Sequence, residues 1–151
     1  MTRSINLALA VASVIALAAC ASPPKETVFD KSNTFAVSKD VAWERLIMFF
    51  TENNIQVRTI EKDSGVIYAE KTGFDNGYAD CGTNMLAPDL SRTATFNVFV
   101  RPVGGGKTQV TVNSEYKVTR QFDGKFFVNE CKSTGLLESR ILTTIRTGTV
   151  N

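Results

Sequence analysis

The 151-residue sequence has no histidine, only 3 cysteines and 4 prolines, and a single tryptophan. Lack of histidine removes the commonest general base, the Ser-His-Asp and Cys-His nucleophile systems, and every imidazole metal site. Charge of one sign is also scarce: 17 Lys+Arg stand against 15 Asp+Glu, a formal net charge of +2. So small an excess builds no basic stripe able to displace counterions from phosphates, and the composition argues against nucleic acid as a partner. Nor does the N-terminal apolar run span a bilayer. It covers residues 7–19, about 13 positions, where a hydrocarbon core needs about 20.

That run has another meaning. Residues 1–20 read MTRSINLALAVASVIALAAC, with Arg3 as the only charge and a close of small residues, the layout of an export signal. Leu17-Ala18-Ala19-Cys20 resembles the lipobox of bacterial lipoproteins. The resemblance implies a signal peptide at residues 1–19, cleavage before Cys20, and acyl chains on its thiol and freed amine. Each buried CH₂ contributes roughly 0.8 kcal/mol, so two or three chains hold where one lets go. Residues 20–32, opening ASPPKET after the cysteine, have the Pro-rich polar character of a tether. By resemblance to enterobacterial sorting, Ala21 in place of Asp points to the outer membrane, facing the periplasm. Ser22-Pro23-Pro24-Lys25 matches S-x-x-K, but two prolines forbid the helical turn that would join Ser to Lys.

Residues 33–151 make one domain of ordinary size. A short strand is expected over residues 34–37, followed by a helix capped by Ser38 with Asp40 in its first turn. Ala42, Trp43, Leu46, Ile47, Phe49 and Phe50 share one face of that helix. Asn53-Asn54 closes it, and a hairpin follows over residues 55–61 and 66–71. Residues 72–90 carry glycines and aspartates without periodic patterning and read as a long loop, a length usually tied to function or disorder. Alternation over residues 93–101 marks the clearest strand, ended by Pro102, and Gly104-Gly105-Gly106 turns into a second strand over residues 108–118. Residues 122–128 add an edge strand after a turn at Asp123-Gly124. Ser133 or Thr134 caps a closing helix with Leu137, Ile141, Leu142 and Ile145 on its apolar face. The expected class is α+β: an antiparallel sheet of about five to six strands on one N-terminal and one C-terminal helix.

This order resembles the helix-grip arrangement, in which an antiparallel sheet curls around a long helix. Within it, the residues Val41, Ala42, Trp43, Leu46, Asp63, Gly65 and Val66 match the modules of BamC-type outer-membrane lipoproteins. Those proteins carry two such modules behind a long N-terminal segment, whereas this chain has room for one. The resemblance implies a non-catalytic assembly or interaction module of the envelope, with envelope proteins as partners and the membrane reached through the N-terminal lipid.

With Cys20 lipidated, Cys81 and Cys131 remain, and in an oxidising compartment such a pair forms a disulfide. It would tie the long loop to the start of the last helix. No base or neighbouring cysteine supports a redox role. Gly106-Lys107-Thr108 lacks the rest of a P-loop, and Asp75, Asp80 and Asp89 lack the ligand spacing of a calcium loop, so neither a cofactor nor a metal is expected. Phe74, Tyr78, Met85 and Leu86 lie in the loop outside any periodic face and either contact a partner or pack under the disulfide. Trp43 and Phe50 could instead border an apolar pocket between helix and sheet, making the protein a carrier or sensor of an apolar ligand. A hydrolase centred on Ser or Asp would need convergent side chains that spacing does not reveal.

Overall fold

Two strands of 16 residues each, alternating apolar and polar along their length, form the spine of the fold. The computed structural model describes residues 21–150. The signal peptide assigned to residues 1–19 and the lipidation assigned to Cys20 lie outside the described residues. Strands β1 (Ala21–Ser22), β2 (Ser32–Phe35), β3 (Gln56–Glu61), β4 (Val66–Thr72), β5 (Ala79–Asp80), β6 (Thr83–Asn84), β7 (Asp89–Gly104), β8 (Lys107–Phe122) and β9 (Lys125–Ser133) accompany helices α1 (Lys39–Glu52) and α2 (Leu136–Thr147). A seven-stranded antiparallel sheet runs β3-β4-β7-β8-β9-β5, with β2 also on β8, and a two-stranded sheet joins β1 to β6.

The class is α+β, but the sheet is larger than the five to six strands expected. Its seventh member, β5, comes from the stretch read as loop, where two residues pair with Ser133 and Lys132 of β9. A two-residue strand leaves no alternation to detect. Pro102 does not end β7, which continues to Gly104. Strand β4 has already ended its pairing with β7 at Phe99, so β7 is an edge there, and an edge tolerates proline.

Register places Ile67, Val98 and Val112 abreast, with Ala69, Phe96 and Ser114 in the next row. This face is buried, and both helices cover it. Helix α1 starts where Ser38 Oγ accepts from the Val41 amide at 3.3 Å, as the sequence predicts, and Asn54 closes it at φ 52°. Its buried residues, Ala42, Trp43, Leu46, Phe49 and Phe50, are those of the predicted face. Gly65 ends the β3–β4 turn at φ 74°, where a Cβ would overlap the Val100 carbonyl. Helix α2 buries Leu137, Ile141, Leu142 and Ile145 as expected, but neither Ser133 nor Thr134 caps it. Gly135 does so in the left-handed conformation, while the Ser133 hydroxyl donates to Glu138 and that of Thr134 to the Gly77 carbonyl.

Candidate functional site

The segment between β4 and β7 is built as a braced loop. Cys81 and Cys131 are disulfide-bonded, which joins it to β9 one residue beyond the β5 pairing. Arg120, on the buried face of β8 and 8% exposed, adds a second brace. Its Nη2 donates to the carbonyls of Cys81 at 2.9 Å and Gly82 at 3.0 Å, and its Nε donates to Asp89 Oδ1 at 2.8 Å. A buried guanidinium offers a fixed fork of donors, so one side chain holds two carbonyls and a carboxylate at once. Burial raises the Asp89 carboxyl, but Arg120 and Arg92 outweigh it and hold the group below its ordinary value.

The residues read as a tether dock on this loop. Ala21 pairs with Asn84 and Ser22 with Thr83, the Ser22 and Thr83 hydroxyls share a hydrogen bond of 2.9 Å, and the Lys25 amide donates to Asp80 Oδ2 at 2.9 Å. Gly82, at φ 64°, has no room for a Cβ against the Ser22 carbonyl. Small side chains and an extended Pro-Pro step expose backbone that can pair with another strand, which composition alone does not announce. The Asp80 carboxyl, accepting from the Lys25 and Gly82 amides, is held below its ordinary value by those two bonds.

The four apolar loop residues divide. Phe74 and Tyr78 are core side chains, which corrects their reading as partner contacts. Phe74 meets Tyr116 edge to face at 5.1 Å, with Arg92 5.8 Å above its ring, and the Tyr78 hydroxyl is bonded by Arg140. Met85 at 82% and Leu86 at 64% are exposed, in the turn after β6. Phe50 is fully buried and Trp43 nearly so, both packed in the common core, and the main clefts of the surface are lined by other residues.

One polar cluster was not legible in the sequence. Glu138, in the first turn of α2, is fully buried. Its Oε1 accepts from Ser133 Oγ at 2.6 Å, from Ser114 Oγ, and from the Tyr116 hydroxyl at 3.5 Å, while Oε2 has no partner among the described residues. Burial, and then the negative charge of Glu138, push the Tyr116 phenol well above its ordinary value. Ser114, Tyr116 and Ser133 line a cleft of about 410 Å³ shared with Lys31, Lys117 and Lys132. All three hydroxyls aim at one oxygen, so the cluster's evident work is to satisfy a buried carboxyl. A lone Glu among apolar helix positions shows no spacing that foretells this.

No helix among the described residues is long and apolar enough to cross a membrane. No family model and no curated protein sequence matches the chain.

Proposed function

We propose that the protein is a lipoprotein, anchored in the outer membrane through Cys20 and facing the periplasm, that acts by binding envelope proteins and not by catalysis. The observation that carries this reading is the braced loop. A disulfide, the buried Arg120 and the docked N-terminal segment hold a stretch whose outermost side chains, Met85 and Leu86, are apolar and exposed. Exposed apolar side chains on a rigid backbone bind at little cost in conformational entropy. The α+β class, an antiparallel sheet covered on one face by two helices, supports reading the domain as helix-grip-like.

The test is cross-linking capture of the lipidated protein in intact envelopes. Met85→Ser with Leu86→Ser abolishes capture of the specific partner, while the thermal midpoint moves little. Capture unchanged by the pair overturns the loop as the contact. Turnover of an envelope substrate by the purified chain, lost in Ser133→Ala, overturns the non-enzymatic reading. The alternative, a carrier of an apolar ligand beside Trp43 and Phe50, is less favoured because a ligand would have to displace rings already packed in the core.

A further inference from the structure

Strand β7 pairs with β8 only as far as Asp89 opposite Arg120, yet β8 and β9 continue together to Phe122 opposite Lys125. The end of this hairpin therefore forms an arm without β7 beside it. It is apolar where an exposed arm would be polar: Phe126 is 67% exposed and Phe122 48%, and at its root, opposite Arg120 and Thr119 where β7 still pairs, Phe127 is 45% and Val128 65% exposed. Register and alternation put these side chains on both faces of the arm. Phe122 and Phe127 continue the face of Tyr116, Val118 and Arg120, and Phe126 and Val128 lie on the other. The turn itself is polar, with Asp123 and Lys125 carrying opposite charges.

We propose that this arm rests in the lipid surface to which Cys20 is anchored, a proposal that stands on the lipoprotein reading above. The point at which the chain arrives argues for that occupant. Ala21, the residue bonded to Cys20, lies in β1, and residues 21–24 line one cleft of about 330 Å³ with Arg120, Asn129 and Glu130 of the arm's base. Ala21, the residue next to the proposed acyl anchor, thus lies beside the base of the arm. A fluid interface covers both faces of a hairpin at once, whereas a rigid partner surface covers one. The charged turn limits entry to the headgroup zone, roughly 5–10 Å deep, and its cancelled charge removes any need for anionic lipid.

The experiment uses the full lipidated chain in vesicles of phosphatidylethanolamine and phosphatidylglycerol, with plain or brominated acyl chains. Trp43 is buried and supplies a constant baseline. Phe126→Trp adds emission that bromine quenches at least twofold. Phe99→Trp does not, since Phe99 is half-exposed but lies at the level of Thr111, roughly 30 Å along the strand from the level of Arg120. Absence of quenching in Phe126→Trp, with acyl chains on Cys20 confirmed by mass, overturns the arm's contact and leaves the anchor standing. Unacylated Cys20 overturns the anchor: quenching then upholds the arm's contact alone, and its absence removes both. A dimer of the Cys20→Ser chain that Phe126→Ser with Val128→Ser dissociates in sedimentation would assign the arm to a second copy and overturn the proposal.

Discussion

Arg120 and Cys81 are tied twice over: the guanidinium donates to the Cys81 carbonyl at 2.9 Å, and the sulfur of the same residue is bonded to Cys131 on the strand beside Arg120. Loop position therefore depends on a covalent brace and a polar one, and each can be removed separately. Arg120→Met leaves the carbonyls of Cys81 and Gly82 without this donor and the Asp89 carboxylate with Arg92 alone. The expected loss is about 2 kcal/mol in urea unfolding, discounted from a fully buried pair because Asp89 keeps some solvent.

Removing the covalent brace acts mainly on the unfolded chain. The bridge closes a separation of 50 residues, for which the chain-entropy estimate is about 4 kcal/mol. Cys81→Ser with Cys131→Ser lowers unfolding stability by up to that amount, and with Arg120 intact the amides around Gly82 still exchange more slowly than in Arg120→Met combined with reduction. Equal exchange in both would show that Arg120 holds nothing by itself.

Phe74 and Met85 behave oppositely. Phe74→Ala opens a cavity beside Tyr116 and costs about 3 to 5 kcal/mol. Met85→Ser, on a side chain 82% exposed, changes stability by about 0.5 kcal/mol or less. Calorimetry of the two variants separates core from surface within one loop.

These variants also show what the sequence could and could not tell. The strands that pack both helices, the capping role of Ser38 and the faces of α1 and α2 were legible because alternation and helical spacing repeat over many residues. The disulfide followed from counting the cysteines that remain once Cys20 is read as lipidated. Whether Phe74 and Tyr78 pack inward or face a partner stayed open in the sequence because a loop has no period to mark which side is buried. Docking of residues 21–25 was hidden because the β1–β6 pairing uses backbone groups that every residue carries. The side-chain bonds that add to it, Ser22 with Thr83 and Asp80 with the Lys25 amide, join positions 61 and 55 residues apart with no pattern linking them. Glu138 was hidden for the converse reason: its partners Ser114, Tyr116 and Ser133 lie on two other strands, and only folding brings them together.

Asp80 makes N-terminal docking sensitive to acid. Its folded pKa lies below the ordinary 3.8 because the Lys25 and Gly82 amides donate to the carboxylate. The stabilisation is present above the unfolded value and is lost as pH falls through the folded one. Exchange of the Lys25 amide accelerates below about pH 4 relative to the trend of solvent-exposed amides, and Asp80→Asn removes that dependence.

Tyr116 sets a limit at the alkaline side. Its phenol is raised above the ordinary 10.0 by burial and by Glu138, so the folded state favours the protonated form. That contribution is complete below the unfolded value, and stability falls as pH rises above 10 toward the folded one. Glu138→Gln removes the negative charge and moves the Tyr116 titration downward in ultraviolet difference spectra. No movement would mean that burial alone governs the phenol.

The hairpin of β7 and β8 runs through the whole domain, 16 residues in each strand, or roughly 50 Å. Its Gly104-Gly105-Gly106 turn stands at one extremity and the β8–β9 arm, beside the point where the chain arrives at Ala21, at the other. Were the chain held at that extremity as proposed, the spine would fix the altitude of the other. Under that proposal the two-stranded spine is a ruler, and lengthening or shortening it by two residues per strand would move the glycine turn by roughly 7 Å while every side chain kept its face.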